Sequence, residues 1–230
     1  MIERWLWRAG AIVFIGLIAV LVDRFAPQQH LPWKPLDLSA PIGWGTGAKL
    51  DAMSSRPETC FGVLDAGGVT YQRIADTEGR DPCGFYSVLY LQRSHTPYST
   101  PIRTTCSLAA ALNVWERQIL QPAAERHFGQ KVDRINTFGT FSCRRINNAS
   151  SGPWSEHAGA NAIDISGFRL EDGSTIQVVE DWRANDPKGA FLEDVFAGAC
   201  RLFRVGLGPD YNAAHADHFH FDMGPGFTCR

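Results

Sequence analysis

The densest chemistry in this 230-residue chain lies just before its C-terminus, where "HADHFHFD" (215–222) packs three of the seven histidines and two aspartates into eight positions. Read as a strand, "DHFHFDM" turns His218 and His220 to one face and Phe219 and Phe221 to the other, so one face is polar and the other can enter a core. Two imidazoles on one face begin a metal site but supply at most two ligands. The segment "SEHAGANAIDI" (155–165) offers the rest. Small residues separate His157 from Asp164, and a tight turn leading into a strand at 162–165 would return the carboxylate beside the imidazole. Two histidines and a carboxylate suit Zn2+. Three protein ligands leave a fourth position for water, whose pKa the metal lowers while polarising a carbonyl.

Each piece alone has a plainer explanation, since a His-x-His pair can be a satisfied surface pair and an aspartate can cap a turn. Their conjunction favours a site. Asp164 stands between Ile163 and Ile165 in an apolar run, where an unpaired carboxylate is costly and a nearby cation is the economical remedy.

The elements that must position these residues are legible in outline. "SLAAALNVWERQI" sets Leu108, Ala111, Leu112, Trp115 and Ile119 at helical spacing, with Ser107 as the expected N-cap and Pro122 interrupting or restarting the helix. "KGAFLEDVFAGACRLF" predicts a second core helix. "FGTFSC", "NAIDIS", "STIQVVEDW" and "HFHFDM" read as short strands. Helices and strands do not alternate regularly, which predicts an α+β domain with a mainly antiparallel sheet, packed helices and a zinc site.

At the N-terminus, Ala9–Val22 carries no charge. Counted back to Trp5, it makes a helix of roughly 27 Å, enough for one transmembrane anchor over residues 1–25 with the Arg4/Arg8 side cytoplasmic. A cleaved signal peptide competes with this reading, but no small-x-small site follows before Pro27. Residues 26–44, interrupted by Pro27, Pro32, Pro35 and Pro41, read as a semi-extended linker, and 45–230 as the folded domain. All six cysteines follow the apolar segment, as expected of disulfides outside the cytoplasm. Chain order suggests Cys60–Cys83, Cys106–Cys143 and Cys200–Cys229. A net charge of -2 and no basic stripe argue against nucleic acid.

"FSCRRINNASSGPWSEHAGANAIDISGFRLEDG" and "LGPDYNAAHADHFHFDM" resemble the signature segments of bacterial extensin-like C-terminal domain proteins, related to the lysostaphin, D-alanyl-D-alanine carboxypeptidase and hedgehog group of zinc peptidases. The likeness runs from about Cys60 to Cys229. That group's motif, His-x6-Asp and later His-x-His, matches His157, Asp164 and His218-Phe219-His220. The resemblance implies His157, Asp164 and His220 as zinc ligands, with His218 in a catalytic position. It also places Asp217 where an acidic general base stands, His215 where some relatives carry an extra histidine near substrate, and Ser155 where a small polar residue holds a substrate carboxylate. Arg144 falls where an arginine binds substrate or stabilises negative charge. Arg145 is the alternative one register on, and an ordinary surface cation is the bland reading of either.

The expected activity is hydrolysis of peptidoglycan stem peptides by a D,D-endopeptidase or D,D-carboxypeptidase, with Asp217 or His218 moving the proton. The expected place is the bacterial inner membrane, single-pass, with the domain in the periplasm. The chief alternative is a non-catalytic, zinc-stabilised wall- or partner-binding domain. An iron oxygenase also uses two histidines and a carboxylate, but its close His-x-Asp spacing is absent.

Overall fold

The computed structural model describes residues 2–77 and 83–230. The chain begins with helix α1 (Ile2–Phe25), followed by α2 (Thr46–Met53) and α3 (Pro57–Ala66). Strands β1 (Thr70–Arg73), β2 (Val88–Arg93) and β3 (Ile102–Thr105) form a small antiparallel sheet in that order. Next come α4 (Cys106–Trp115), a π turn over Glu116–Leu120, and α5 (Gln121–Phe128). The second half supplies β4 (Val132–Gly139), β5 (Ala162–Leu170), β6 (Thr175–Gln177), α6 (Val178–Asp181), α7 (Pro187–Ala199), β7 (Val205–Leu207), β8 (Phe219–Asp222) and β9 (Thr228–Cys229). These strands make a six-stranded sheet ordered β4-β5-β8-β7-β9, with β6 pairing to the outer half of β5. Only the β7–β9 pair in it is parallel. The expected α+β class with a mainly antiparallel sheet is what the chain forms.

Alternation in β8 decides where the core lies. Phe219 and Phe221 are fully buried, and they meet Phe196 of α7 and Trp115 of α4 edge-on or tilted. Burying aromatic side chains of this size contributes about 1.5–3 kcal/mol each, so the sheet is clamped to its helices and the opposite face of β8 is left for polar groups. Asp186 starts α7 by accepting from the Lys188 and Gly189 amides, with Pro187 in the first turn.

Several local expectations need correction. The cap of α4 is Thr105, whose hydroxyl accepts from the Leu108 amide, because the helix starts at Cys106 and leaves Ser107 inside it. Pro122 restarts the helix after the π turn. Of "FGTFSC" only Phe138 and Gly139 are strand, and "STIQVVEDW" turns helical at Val178. The disulfides are Cys60–Cys106, Cys83–Cys143 and Cys200–Cys229. The first two differ from chain order because α3 packs on the start of α4, which sets Cys60 beside Cys106 rather than Cys83.

The N-terminal region also departs from expectation. Among the described residues, no helix is long and apolar enough to cross a membrane. The uncharged stretch Ala9–Val22 of α1 measures about 21 Å at 1.5 Å per residue, short of a hydrocarbon core of about 30 Å. The apolar side chains of α1 from Ile12 to Leu21 are nevertheless exposed. The proline-rich stretch has little regular structure but does not hang free. Leu31, Leu36 and Leu38 are buried, and the buried Lys49 ammonium donates to the carbonyls of Gln28 (2.6 Å) and Pro35 (3.2 Å).

Candidate metal centre

Three neighbouring strands bring the site together. Asp164 in β5 lies opposite His220 of β8 on one side and Gly139 of β4 on the other. Ile163 and Ile165 point into the core, so Asp164 takes the opposite face with His220. Gly139, with φ +120°, occupies a backbone region that residues with a side chain rarely adopt, and beyond it the chain leaves β4. His157 sits on a 3-10 turn (Glu156–Gly159) that Ala160, at φ +56°, ends in the left-handed region.

The atoms that converge are His157 Nε2, Asp164 Oδ1 and His220 Nδ1. His157 Nε2 lies 3.2 Å from Asp164 Oδ1 and 3.2 Å from His220 Nδ1, and the latter two are 2.9 Å apart. Ligands held tetrahedrally at zinc distances stand about 3.3 Å from one another, so the triangle has the size of a metal-binding face. The rear of each imidazole is engaged. His157 Nδ1 is 3.1 Å from the Thr140 carbonyl, and His220 Nε2 is 2.9 Å from Asp222 Oδ2.

A carbonyl only accepts, so His157 Nδ1 carries its proton and Nε2 is a bare lone pair. Asp222 imposes the same logic on His220, protonating Nε2 and baring Nδ1. Three acceptors therefore face one another in a buried place with no donor among them, which is unfavourable unless a cation joins them. Without a metal, that cation is a proton. Burial opposes protonation of His220, but the hydrogen bonds to Asp164 and Asp222 and their charges outweigh it, raising this imidazole to about 9. Asp164 is pushed up by burial yet held well below the carboxylate range by its bonds to His157 and His220. The donor set, one carboxylate and two imidazoles that are each braced from behind, has the chemistry to hold a divalent ion such as Zn2+.

The other candidate residues surround this triangle unevenly. His218 points Nε2 toward it, 3.4 Å from Asp164 Oδ1, while its Nδ1 is 2.8 Å from Asp217 Oδ1. Strict alternation from Asp217 would have separated these two. The strand begins only at Phe219, so Asp217 belongs to the preceding turn and reaches its neighbour's ring. His215 lies at the edge of the site, its ring 5.3 Å from that of His218 and 5.8 Å from that of His220, with Nδ1 on Asn212. Burial, then the charges of His220 and His218, push His215 down to about 4. The Ser155 hydroxyl caps the 3-10 turn, accepting from the His157 amide at 3.3 Å.

The two arginines separate clearly. Arg145 stacks on Trp154, 4.4 Å from the ring centroid, and donates to the Gly152 carbonyl. Arg144 makes no such stack: its carbonyl accepts from the Ser155 amide at 3.1 Å, and its charge contributes to lowering the His215 imidazole. Reasoning from sequence missed Asp222, the Thr140 carbonyl, and Phe138, whose ring meets His218 edge-on. Asp222 had a signal, since it continues the alternation of His218 and His220 by one step.

No curated protein and no solved structure matches this chain. The family model of the extensin-like protein C-terminus matches residues 58–230, from the first turn of α3 to the last residue and including every residue of the converging triangle. The chain therefore belongs to the extensin-like C-terminal family.

Proposed function

We propose that this chain is a zinc-dependent peptide hydrolase acting on peptidoglycan stem peptides outside the cytoplasm, of the D,D-endopeptidase or D,D-carboxypeptidase type. The observation that carries the reading is the set of three bare lone pairs on His157, Asp164 and His220, each imidazole locked from behind in the tautomer a metal requires. The resemblance of the His-x6-Asp and His-x-His spacing to the lysostaphin and carboxypeptidase group supports the reaction class. Three disulfides and a helix with exposed apolar side chains support a place at the outer face of the inner membrane.

His157, Asp164 and His220 would hold Zn2+, which would supply Lewis acidity toward a carbonyl and make water more acidic. Groups of the chain do the rest. Asp217 keeps the His218 proton on Nδ1, leaving a lone pair at Nε2 on the side of the triangle. His218 Nε2 then takes a proton from water and returns it to the leaving amine. This assigns the base to His218 and makes Asp217 its positioning residue. Arg144, the cation whose charge reaches His215, would meet the negative charge that develops on the carbonyl oxygen or a carboxylate of the peptide. Ser155 acts through His157, whose turn it caps.

The test is incubation of the purified, disulfide-intact chain with muropeptides, followed by mass spectrometry with and without a chelator. Products that need zinc and vanish in His220→Ala are expected. Sedimentation with sacculi and no product in the presence of zinc would instead identify a wall-binding domain. Failure to retain any divalent ion would overturn both.

A further inference from the structure

The segment after α1 is built as a collar. Asp23, in the last turn of α1, accepts from Trp33 Nε1 at 2.8 Å and from Lys34 Nζ at 2.8 Å. The Gly45 amide donates to Gln29 O, and the Trp44 amide donates to His30 Nδ1 at 3.2 Å, with the two rings edge to face. Gly45 has no room for a side chain here, since a Cβ would come 2.9 Å from Pro32 N. Lys49 of α2 pins both ends of the stretch from below through Gln28 O and Pro35 O. The exit of α1 is thus tied to the domain.

What the collar displays does not match an aqueous surface. Trp44 is 93% exposed, Trp33 63% and Phe25 81%, whereas Trp115 in the core is wholly buried. The indole of Trp33 keeps its N–H on Asp23 and offers its rings outward. Large rings beside the positive charge of Arg24 and the Lys34–Asp23 pair match the layer where acyl chains meet headgroups. The apolar side chains of α1 are exposed on every side, which a protein groove would not cover but lipid would.

We propose that Phe25, Trp33 and Trp44 form a membrane-interfacial collar that seats the domain directly on the lipid surface, so that the candidate metal centre is held in a fixed pose above the bilayer. This rests on the proposed place of the chain at the outer face of the membrane, with α1 in contact with lipid though too short to cross it, and replaces a flexible tether with a rigid mount.

The full chain, carrying Trp5→Phe and Trp7→Phe to silence the helix, is mixed with phosphatidylcholine/phosphatidylglycerol vesicles whose lipids bear bromine near the headgroup end of the acyl chains. The chain is expected to float with the vesicles, and bromine to quench a share of its tryptophan emission. That share should disappear when Trp33→Phe and Trp44→Phe are added, leaving the signal of Trp115, Trp154 and Trp182. Flotation without quenching would overturn the collar alone. A chain that stays in the aqueous fraction would overturn the lipid reading of α1 and the collar with it.

Discussion

Glu116 and Asp164 both hold a carboxylate largely away from water, and they are built in opposite ways. Glu116, wholly buried on the π turn, is surrounded by donors: the Thr96 amide reaches one oxygen at 2.8 Å and the Tyr98 hydroxyl the other at 2.6 Å. Asp164 is surrounded by imidazole nitrogens whose protons are spent elsewhere, on Thr140 and Asp222. The first carboxylate is satisfied by its own protein. The second is satisfied only when something positive arrives. A buried acid with its donors in place is a structural knot, and one hemmed in by lone pairs is a binding site; the partner atoms tell them apart, not burial.

The sharpest way to break this comparison is to delete each carboxylate and read two quantities. Asp164→Ala should abolish stoichiometric zinc retention, measured by elemental analysis after dialysis. Glu116→Ala should keep zinc but lose about 3–4 kcal/mol of stability in urea unfolding, from a cavity together with an orphaned amide and hydroxyl. If Asp164→Ala retained zinc, or Glu116→Ala lost it in the folded state, the two places would not differ as described.

Glu116 also carries a pH signature. Burial raises its carboxyl to about 7, against the pull of Tyr98, Thr96 and Ser94. The unfolded chain loses this proton near 4.5. Between those values the folded state holds the extra proton, so stability is greatest below the lower value and falls as pH rises through the window. The loss is on the order of 3 kcal/mol. In Glu116→Gln this component should vanish. Urea unfolding of the chelator-treated chain at pH 5 and pH 8 measures it, and equal slopes for wild type and variant would show Glu116 already ionised at pH 5.

A smaller effect separates the lone-pair triangle from its bracing. Asp222 touches no ligand position, yet it fixes the tautomer of His220 through Nε2 and is itself held by the Gly224 amide. Asp222→Asn should weaken zinc binding by about 10–100-fold without abolishing it. Competition with a chromogenic chelator reads this directly. Unchanged affinity would mean that His220 does not need its rear partner.

The two carboxylates were unequally legible in the sequence. Asp164 announced itself, because a charge between two isoleucines in a β-like run conflicts with its surroundings, and the period of His218 and His220 marked the face it shares. The same period extended to Asp222 would have found the brace. Glu116 gave no such sign. In "NVWERQ" it reads as a polar helix position, and it is inside because α4 is buried on every face and the unbroken buried run from Cys106 continues into Glu116, which side-chain periodicity does not encode. The Thr140 carbonyl was equally silent, since backbone groups leave no trace in side-chain spacing. Disulfide pairing was hidden because it follows helix packing, with α3 against α4, rather than chain order. The leucines at 31, 36 and 38 stood among prolines that explain the irregular backbone, but prolines do not say whether such a stretch is packed.

The smallest expected effect tests where the site ends and its scaffold begins. The likeness to peptidases implies a substrate role for Ser155, and its hydroxyl also accepts from the His157 amide at the start of the 3-10 turn. A cap of this kind stabilises by about 0.5–2 kcal/mol, and its loss loosens the turn that aims one ligand without removing the ligand. Ser155→Ala should therefore lower zinc affinity by less than Asp222→Asn does, and KM for a muropeptide should stay where it is once zinc is saturating. Ser155→Asp, which can still cap, should restore the zinc affinity. A KM that rises in Ser155→Ala at full zinc occupancy would return the hydroxyl to the substrate side and move the boundary of the site outward by one residue.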